Sequence, residues 1–276
     1  MDGDLGDFLR SRRGRIQPEE VGLPSYGRRR VPGLRREEVA QLAGVSVDYY
    51  VRLEQGRGRS VSDAVLDAVA RVLRLDETEH AYLRTVARPR RGRDVRRPEA
   101  ARVRPGVQAL LDGMDRTPAF VIDARMDILA WNSLADAMNG YSRTAPADRN
   151  IPRQVFLGAE ARTTFPDWPD IAAQAAAHLR LNAGHRPDDA RLDALIGELS
   201  VRSPDFRRLW ADHQVKACMS GTKRIHHPLT GLLSLPFETL TVPTDPEQTV
   251  VVYTPERGSD AAEKLALLGS WTTAEV

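Results

Sequence analysis

The chain has 276 residues, 41% of them hydrophobic, which suits two domains with real cores. No apolar run approaches the roughly 20 residues of a membrane span, Met1-Asp2-Gly3-Asp4 lacks the basic and apolar regions of a secretion signal, and the single cysteine, Cys218, excludes an internal disulfide framework and a Cys-based zinc site, so the expected location is the cytoplasm. The net charge of +2 is uneven: residues 1–104 hold 23 Arg against 16 acidic residues (+7) and the remainder 17 basic against 22 acidic (−5), so the first third is the part expected to meet a polyanion.

In chain order, Asp4 to Arg15 reads as a first helix. Leu5, Phe8 and Leu9 recur at i, i+3, i+4, and Arg10, Arg12, Arg13 and Arg15 crowd its end, where cations suit the macrodipole. Ile16 to Gly33 reads as a loop. Its Arg28-Arg29-Arg30 is open to two readings, a solvated loop or an arm on phosphate or in the minor groove. Arg35 to Gly56 reads as two short helices and a tight turn. Val39, Leu42 and Ala43 give the first an apolar face, Gly44 suits the turn, and Ser46 is a good N-cap for the second. Tyr50 and Leu53 face inward, with Asp48, Arg52 and Gln55 opposite. That is the geometry of a DNA-reading helix-turn-helix. Ser62 to Leu75 and Asp76 onward supply a fourth and a fifth helix, completing an all-α bundle over 1–87.

The stretch Arg35–Gly56 resembles the Cro/C1-type, or xenobiotic-response-element-type, repressor helix-turn-helix. The match lies in Glu38-Val39-Ala40, Gly44-Val45-Ser46 and Leu53-Glu54-Gln55-Gly56. The wording Val45 to Gly56 resembles a bacterial subgroup in which an MmyB-like ligand-binding domain follows. The expected DNA-contacting residues are Arg35, Arg36, Ser46, Val47, Asp48, Tyr49, Arg52, Gln55 and Arg57. Arg52 is suited to a guanine edge and Asp48 to a cytosine amine, although an i,i+4 Asp48–Arg52 ion pair on a solvated face is the competing reading. Two features depart from the family pattern. Arg35 and Arg36 stand where a small polar cap and a Gln are common, which opposes the macrodipole but suits a phosphate clamp. A proline usual near Ser60 or Val61 is missing.

Residues 88–105 carry three prolines and a dense charge run, the signature of a linker. Beyond it, Val107, Leu110 and Leu111 suggest a short helix. Ala119 to Ile122 and Met126 to Trp131 read as strands joined by an Asp123-Ala124-Arg125 turn, and Asn132 caps a helix. Residues 151–215 read as broken helices, followed by three antiparallel strands (223–227, 231–242, 249–253) and a closing helix. Five strands with helices on one side make an α+β, PAS-like sensor layout over 106–276. Resemblance to MmyB-like domains rests on Arg116-Thr117-Pro118-Ala119, Phe165-Pro166-Asp167-Trp168, Ser200 to Trp210, Thr222-Lys223-Arg224 and Val251-Val252-Tyr253-Thr254. It implies a pocket for a lipid-like molecule such as a fatty acid.

The large side chains that can surround a cavity, or simply pack the interior, include Phe120, Trp131, Phe156, Trp210, Leu235 and Phe237. Asn132, Arg202, Arg208, His213, His226 and Tyr253 are the polar anchor candidates, with an Arg suited to a carboxylate head group. His226 and His227 are adjacent on a strand, so they point to opposite faces and do not suit one metal ion. No nucleophile, phosphate-loop or metal motif stands out, so neither an enzyme nor a cofactor is expected. The expectation is a homodimeric regulator on a palindromic double-stranded DNA operator, switched by a small apolar ligand. Two rivals are a C-terminal protein-interaction module with a filled core, and an enzyme with a DNA-binding appendage.

Overall fold

The computed structural model describes residues 3–24, 33–57, 61–87, 102–217 and 220–274. The Arg28–Arg30 arm, Ser60, linker residues 88–101 and Cys218 lie outside them. Five helices come first: α1 (Gly3–Arg15), α2 (Arg36–Ala43), α3 (Val47–Glu54), α4 (Asp63–Val72) and α5 (Glu77–Val86). Then come α6 (Pro105–Asp112), β1 (Ala119–Ile122), β2 (Ile128–Trp131) and α7 (Ser133–Asn139). They are followed by α8 (Ile151–Leu157), α9 (Ala161–Thr164), α10 (Trp168–His185), α11 (Ala190–Arg202) and α12 (Pro204–Ala211). The chain closes with β3 (Ser220–His227), β4 (Gly231–Val242), β5 (Asp245–Tyr253) and α13 (Asp260–Ala274). Residue contacts divide it into two units. One comprises 1–94, 180–189 and 210–217; the other comprises 95–179, 190–209 and 218–276.

In the first unit, side-chain caps set the helix starts. Ser46 Oγ accepts from the Tyr49 N–H at 3.2 Å and Ser62 Oγ from the Val65 N–H at 3.4 Å. Asp76 and Glu79 form a reciprocal capping box, with bonds of 2.8 and 3.2 Å. Gly44, at φ 69°, ends α2 in the left-handed conformation that the tight turn requires. Phe8, Leu9, Val39, Tyr50, Leu53, Leu66, Val69, Tyr82 and Leu83 meet in one apolar cluster. Each such side chain contributes about 1.5–3 kcal/mol on full burial. Leu42 departs from the expected stripe and is 37% exposed. Val39, Ala40 and half-buried Ala43 define the inward face instead, and at 100° per residue Leu42 lies roughly 110° from its centre. Val215, from the second half of the chain, joins this core.

The second unit is built on a five-stranded antiparallel sheet in the order β2-β1-β5-β4-β3, the PAS-like arrangement. Alternation sorts its faces. On one, Ala119, Val121, Ala130 and Val252 pack with Val107 and Leu111 of α6. On the other lie Phe120 and Phe237, in ring contact with Tyr141 and Tyr253. Helix α6 therefore covers the face expected to be bare, because its own Val107–Leu111 stripe must be buried. It starts at Pro105, which serves as the first helical residue rather than as linker. The β1–β2 turn is held by Asp123, whose buried carboxylate accepts the N–H groups of Arg125 and Asp127 at 2.9 Å each and pairs with the Arg125 guanidinium at 2.6 Å. Burial pushes that carboxyl above its usual range.

Candidate nucleic-acid interface and ligand cavity

Helix α3 is short, with one face locked inside. Tyr50, Leu53 and Glu54 are almost fully buried, while Ser46, Val47, Asp48, Arg52 and Gln55 are exposed and Tyr49 is half-buried. Arg57, just past the helix, is also exposed. Val47 is 45% exposed, an apolar group open to solvent at the first turn and of the kind that contacts a thymine methyl. The Nε of Arg52 donates to the Asp48 backbone carbonyl at 3.3 Å. Arg52 thus bonds the Asp48 backbone in place of the carboxylate–guanidinium pair of the competing reading, and Asp48 stays exposed beside it.

Behind this face lies an ion network. Glu54 Oε1 accepts from Arg13 Nη2 at 2.9 Å and Oε2 from Arg36 Nε at 2.8 Å, with Arg10 at 3.7 Å. Arg13 also donates to the Leu34 carbonyl at 2.6 Å. A buried carboxylate without such partners costs several kcal/mol, which explains why Arg36, whose side chain stays half-exposed, reaches towards Glu54. Its hydrogen bond to Glu54 raises the Arg36 pKa further. Arg35 remains exposed, 3.4 Å from Glu37, and its backbone N–H bonds Glu38 at 2.6 Å. Burial pushes the Tyr50 hydroxyl up, so it stays neutral.

The arginines expected at the end of α1 divide in two, with Arg10 and Arg15 exposed. Arg12 and Arg13 are buried. Arg12 Nε meets Glu79 at 2.7 Å, and its guanidinium lies 4.7 Å from the Phe8 ring centroid. Burial lowers its pKa to about 10, against the opposing pull of Glu79. Periodicity alone holds a clue, since residues 5, 8, 9, 12 and 13 fall on one helical face.

The residues expected around a ligand are scattered. Phe120, Phe237 and Tyr253 are buried and Trp131 half-buried, and with Tyr141 their rings meet at centroid distances of 5.5–6.3 Å. Leu235 is fully buried on the same sheet face. Asn132 is a structural brace. Its Oδ1 accepts from Ala119 N (3.1 Å) and Ala135 N (2.9 Å), and its Nδ2 donates to Met114 O (3.0 Å) and Thr117 O (2.8 Å), which saturates the amide. Phe156 packs at 5.1 Å against Phe206 and 6.3 Å against Trp168. Trp210 belongs to the first unit, where Arg180 lies 3.9 Å over its ring and bonds its carbonyl. His213 is in that unit too, and Arg208 is exposed beside Asp205.

A cavity of about 730 Å³ lies in the second unit, among the end of α7, the loop after it, α8, α9 and the end of β3. Its apolar lining includes Met138, Leu157, Phe165 and Ile225; its polar lining includes Arg143, Arg153, Arg202, His226 and His227. Of the residues expected around a ligand, the anchor candidates Arg202 and His226 line it. Arg153 and Arg202 share Glu198, at 2.8 and 2.7 Å, and these two guanidiniums hold its carboxyl below the usual range. Burial lowers the His227 pKa, and its Nδ1 accepts from the Leu229 N–H at 3.3 Å. The adjacent histidines alternate as a strand requires, His226 exposed and His227 buried. Arg143 and Arg153 carry no sequence signal, because only the folding of α8 and the loop after α7 around the end of β3 brings them to one cavity. Among the described residues, no group of three or more His, Cys, Asp or Glu is placed to hold a metal ion, and no helix is long and apolar enough to cross a membrane.

Residues 4–83 match the helix-turn-helix domain family, and residues 103–268, more than half of the chain, match the MmyB-like transcription regulator ligand binding domain family. No curated protein matches the chain. Both matches agree with the geometry: a short helix with a polar face outward, and an antiparallel five-stranded domain with helices. The chain belongs to the MmyB-like family and is a DNA-binding helix-turn-helix transcription regulator with an MmyB-like ligand-binding domain.

Proposed function

We propose that this regulator binds a palindromic operator as a homodimer and that an amphiphilic, fatty-acid-like molecule in the C-terminal domain modulates that binding. The observation that carries the ligand reading is the cavity. Its volume of about 730 Å³ falls in the range of small-molecule sites, roughly 300–1,000 Å³. A lining that combines apolar side chains with Arg143, Arg153 and Arg202 suits a hydrocarbon tail with an anionic head. Ser46, Val47, Asp48, Tyr49, Arg52, Gln55 and Arg57 form the reading surface, with Arg35 as a phosphate contact and Arg36 dividing its guanidinium between Glu54 and the backbone of the DNA. A single reading helix covers few base pairs, which is the reason for two copies. Native mass spectrometry of the intact chain purified from cells, followed by organic extraction, tests the ligand. A released amphiphile of a few hundred daltons supports the reading, and a clean apo mass together with no binding of added laurate overturns it.

A second reading has its own support. Phe120, Trp131, Tyr141, Phe237 and Tyr253 pack on one another at the centre of the sheet, as they do in a filled interaction module. In that case the C-terminal domain makes the dimer without a ligand. Sedimentation of the intact chain, unchanged by laurate, is its expected signature.

A further inference from the structure

The unit that carries the reading helix is completed by residues 180–189 and 210–217. Both segments lie inside the stretch matched by the ligand-binding family, 103–268. Their contacts are specific. Ser11 Oγ donates to the Asp212 carbonyl at 3.0 Å, Arg12 Nη2 to the His213 carbonyl at 3.0 Å and Arg15 Nη2 to the Asp212 carbonyl at 2.8 Å. Arg15 Nη1 reaches Gln214 Oε1 at 3.2 Å. His213 sits at φ 51°, a left-handed conformation uncommon outside glycine. Val215 then enters the helical core at 4% exposure. The other segment docks as closely: a Cβ on Gly184 would come within 2.1 Å of Tyr82 Cε2, and Tyr82 stands edge-on to Phe8 of α1 at 5.1 Å.

The same helix, α1, also holds the end of α3. Arg13 binds Glu54, and a Cβ on Gly6 would lie 2.2 Å from the Glu54 carbonyl oxygen, so the two backbones touch. One helix therefore grips 212–214 with Ser11, Arg12 and Arg15 and the reading helix with Gly6 and Arg13.

We propose that residues 180–189 and 210–217 form a latch on α1 that sets the position of the reading helix, making α1 the route by which the ligand-binding sequence controls DNA affinity. The control element of this proposal rests on the ligand-modulated reading above; the latch itself rests on the contacts alone. A shift in either segment displaces α1, and α1 cannot move without carrying Glu54 and the last turn of α3.

The test uses the full chain, a duplex that the wild-type chain selects from a random pool, and laurate as the probe amphiphile. Ser11→Ala with Arg15→Ala removes three of the latch bonds while leaving Arg12, Arg13 and the core in place. The expected result is an affinity weakened by roughly 2- to 30-fold, faster amide exchange at both 212–215 and 53–57, and a smaller effect of laurate on affinity than in wild type. Faster exchange confined to 211–217 with unchanged affinity overturns the latch. A laurate effect of equal size in both proteins overturns α1 as the route. Coupled exchange in the variant with no laurate effect in either protein supports the latch and overturns ligand control. His213→Gly, which relieves the left-handed backbone and keeps both carbonyls, is expected to hold exchange at 53–57 at or below the wild-type rate; faster exchange there overturns the assigned geometry.

Discussion

The two units bury polar groups of different kinds. Inside the helical unit these are charges: Arg12, Arg13 and Glu54 are all buried, each with an ionic partner. The sheet unit has a buried ion pair of this kind, Asp123 with Arg125 in the β1–β2 turn, and otherwise braces its loops largely with neutral amides. Asn132 ties the start of β1 to the start of α7, and Asn150 Nδ2 bonds Arg125 O at 3.0 Å and Asp127 Oδ1 at 2.8 Å beneath the β1–β2 turn. A buried ion network fixes orientation strongly because removing one partner leaves an uncompensated charge. A saturated amide fixes a loop with no net charge and with little sensitivity to salt. The difference fits the two tasks, since a reading helix must hold one angle to the groove while a sensor must hold its scaffold around a variable occupant.

Glu54→Ala breaks the contrast most sharply. It strands Arg13 inside the helical unit and is expected to cost about 3–5 kcal/mol there, read as loss of the α1–α5 amide protection while the sheet amides are unchanged. Equal loss in both units would show that the two do not unfold separately. Next comes His178, largely buried in α10, whose pKa desolvation lowers to about 4. The sign follows from a folded value below the unfolded one near 6.5. Its neutral form contributes stability above the unfolded value, and that contribution is lost as pH falls from 6.5 through about 4, on the order of 3 kcal/mol in all. Urea titrations from pH 7 to 4 measure the slope, which His178→Gln is expected to flatten; an unchanged slope would remove this histidine from the account. Asn132→Ala leaves the Ala119 and Ala135 N–H groups without their acceptor and is expected to cost about 2–3 kcal/mol. Its cost should be the same at low and high salt, whereas the Glu54 effect should change with salt. Smallest in the free protein is Arg52→Ala, an exposed side chain expected to change stability by less than about 0.5 kcal/mol. In the complex the same change is expected to weaken specific DNA binding by about 1–3 kcal/mol, and unchanged operator affinity would remove Arg52 from the reading surface.

Much of this was legible because it is local. The caps made by Ser46 and Asn132 and the left-handed turn at Gly44 act within four residues of their own position. Strand β1, a short continuous apolar run buried throughout, and β4, which alternates, match the expected ranges, while β5 starts at 245 instead of 249 because its pairing with β4 runs on to Val242↔Asp245. The candidate sites were harder. That Arg52 faces outward follows from helical spacing, but that Arg36 turns to Glu54 depends on a carboxylate 18 positions away. Aromatic residues near strands were the natural candidates for a cavity wall, and Phe120, Trp131, Tyr141, Phe237 and Tyr253 pack ring against ring. The cavity formed instead beside α8, α9 and the end of β3.

By itself the sequence determined the two-part organisation, the five helices of the reading head with their caps and turn, and the alternation that makes a sheet, since each depends on residues a few positions apart. Only the tertiary structure decided which charges are buried, that Val215 completes the core of the DNA-binding unit, and where the cavity lies. Those features join residues tens to about 200 positions apart, and contacts at such range follow from how whole elements pack, which no local period records.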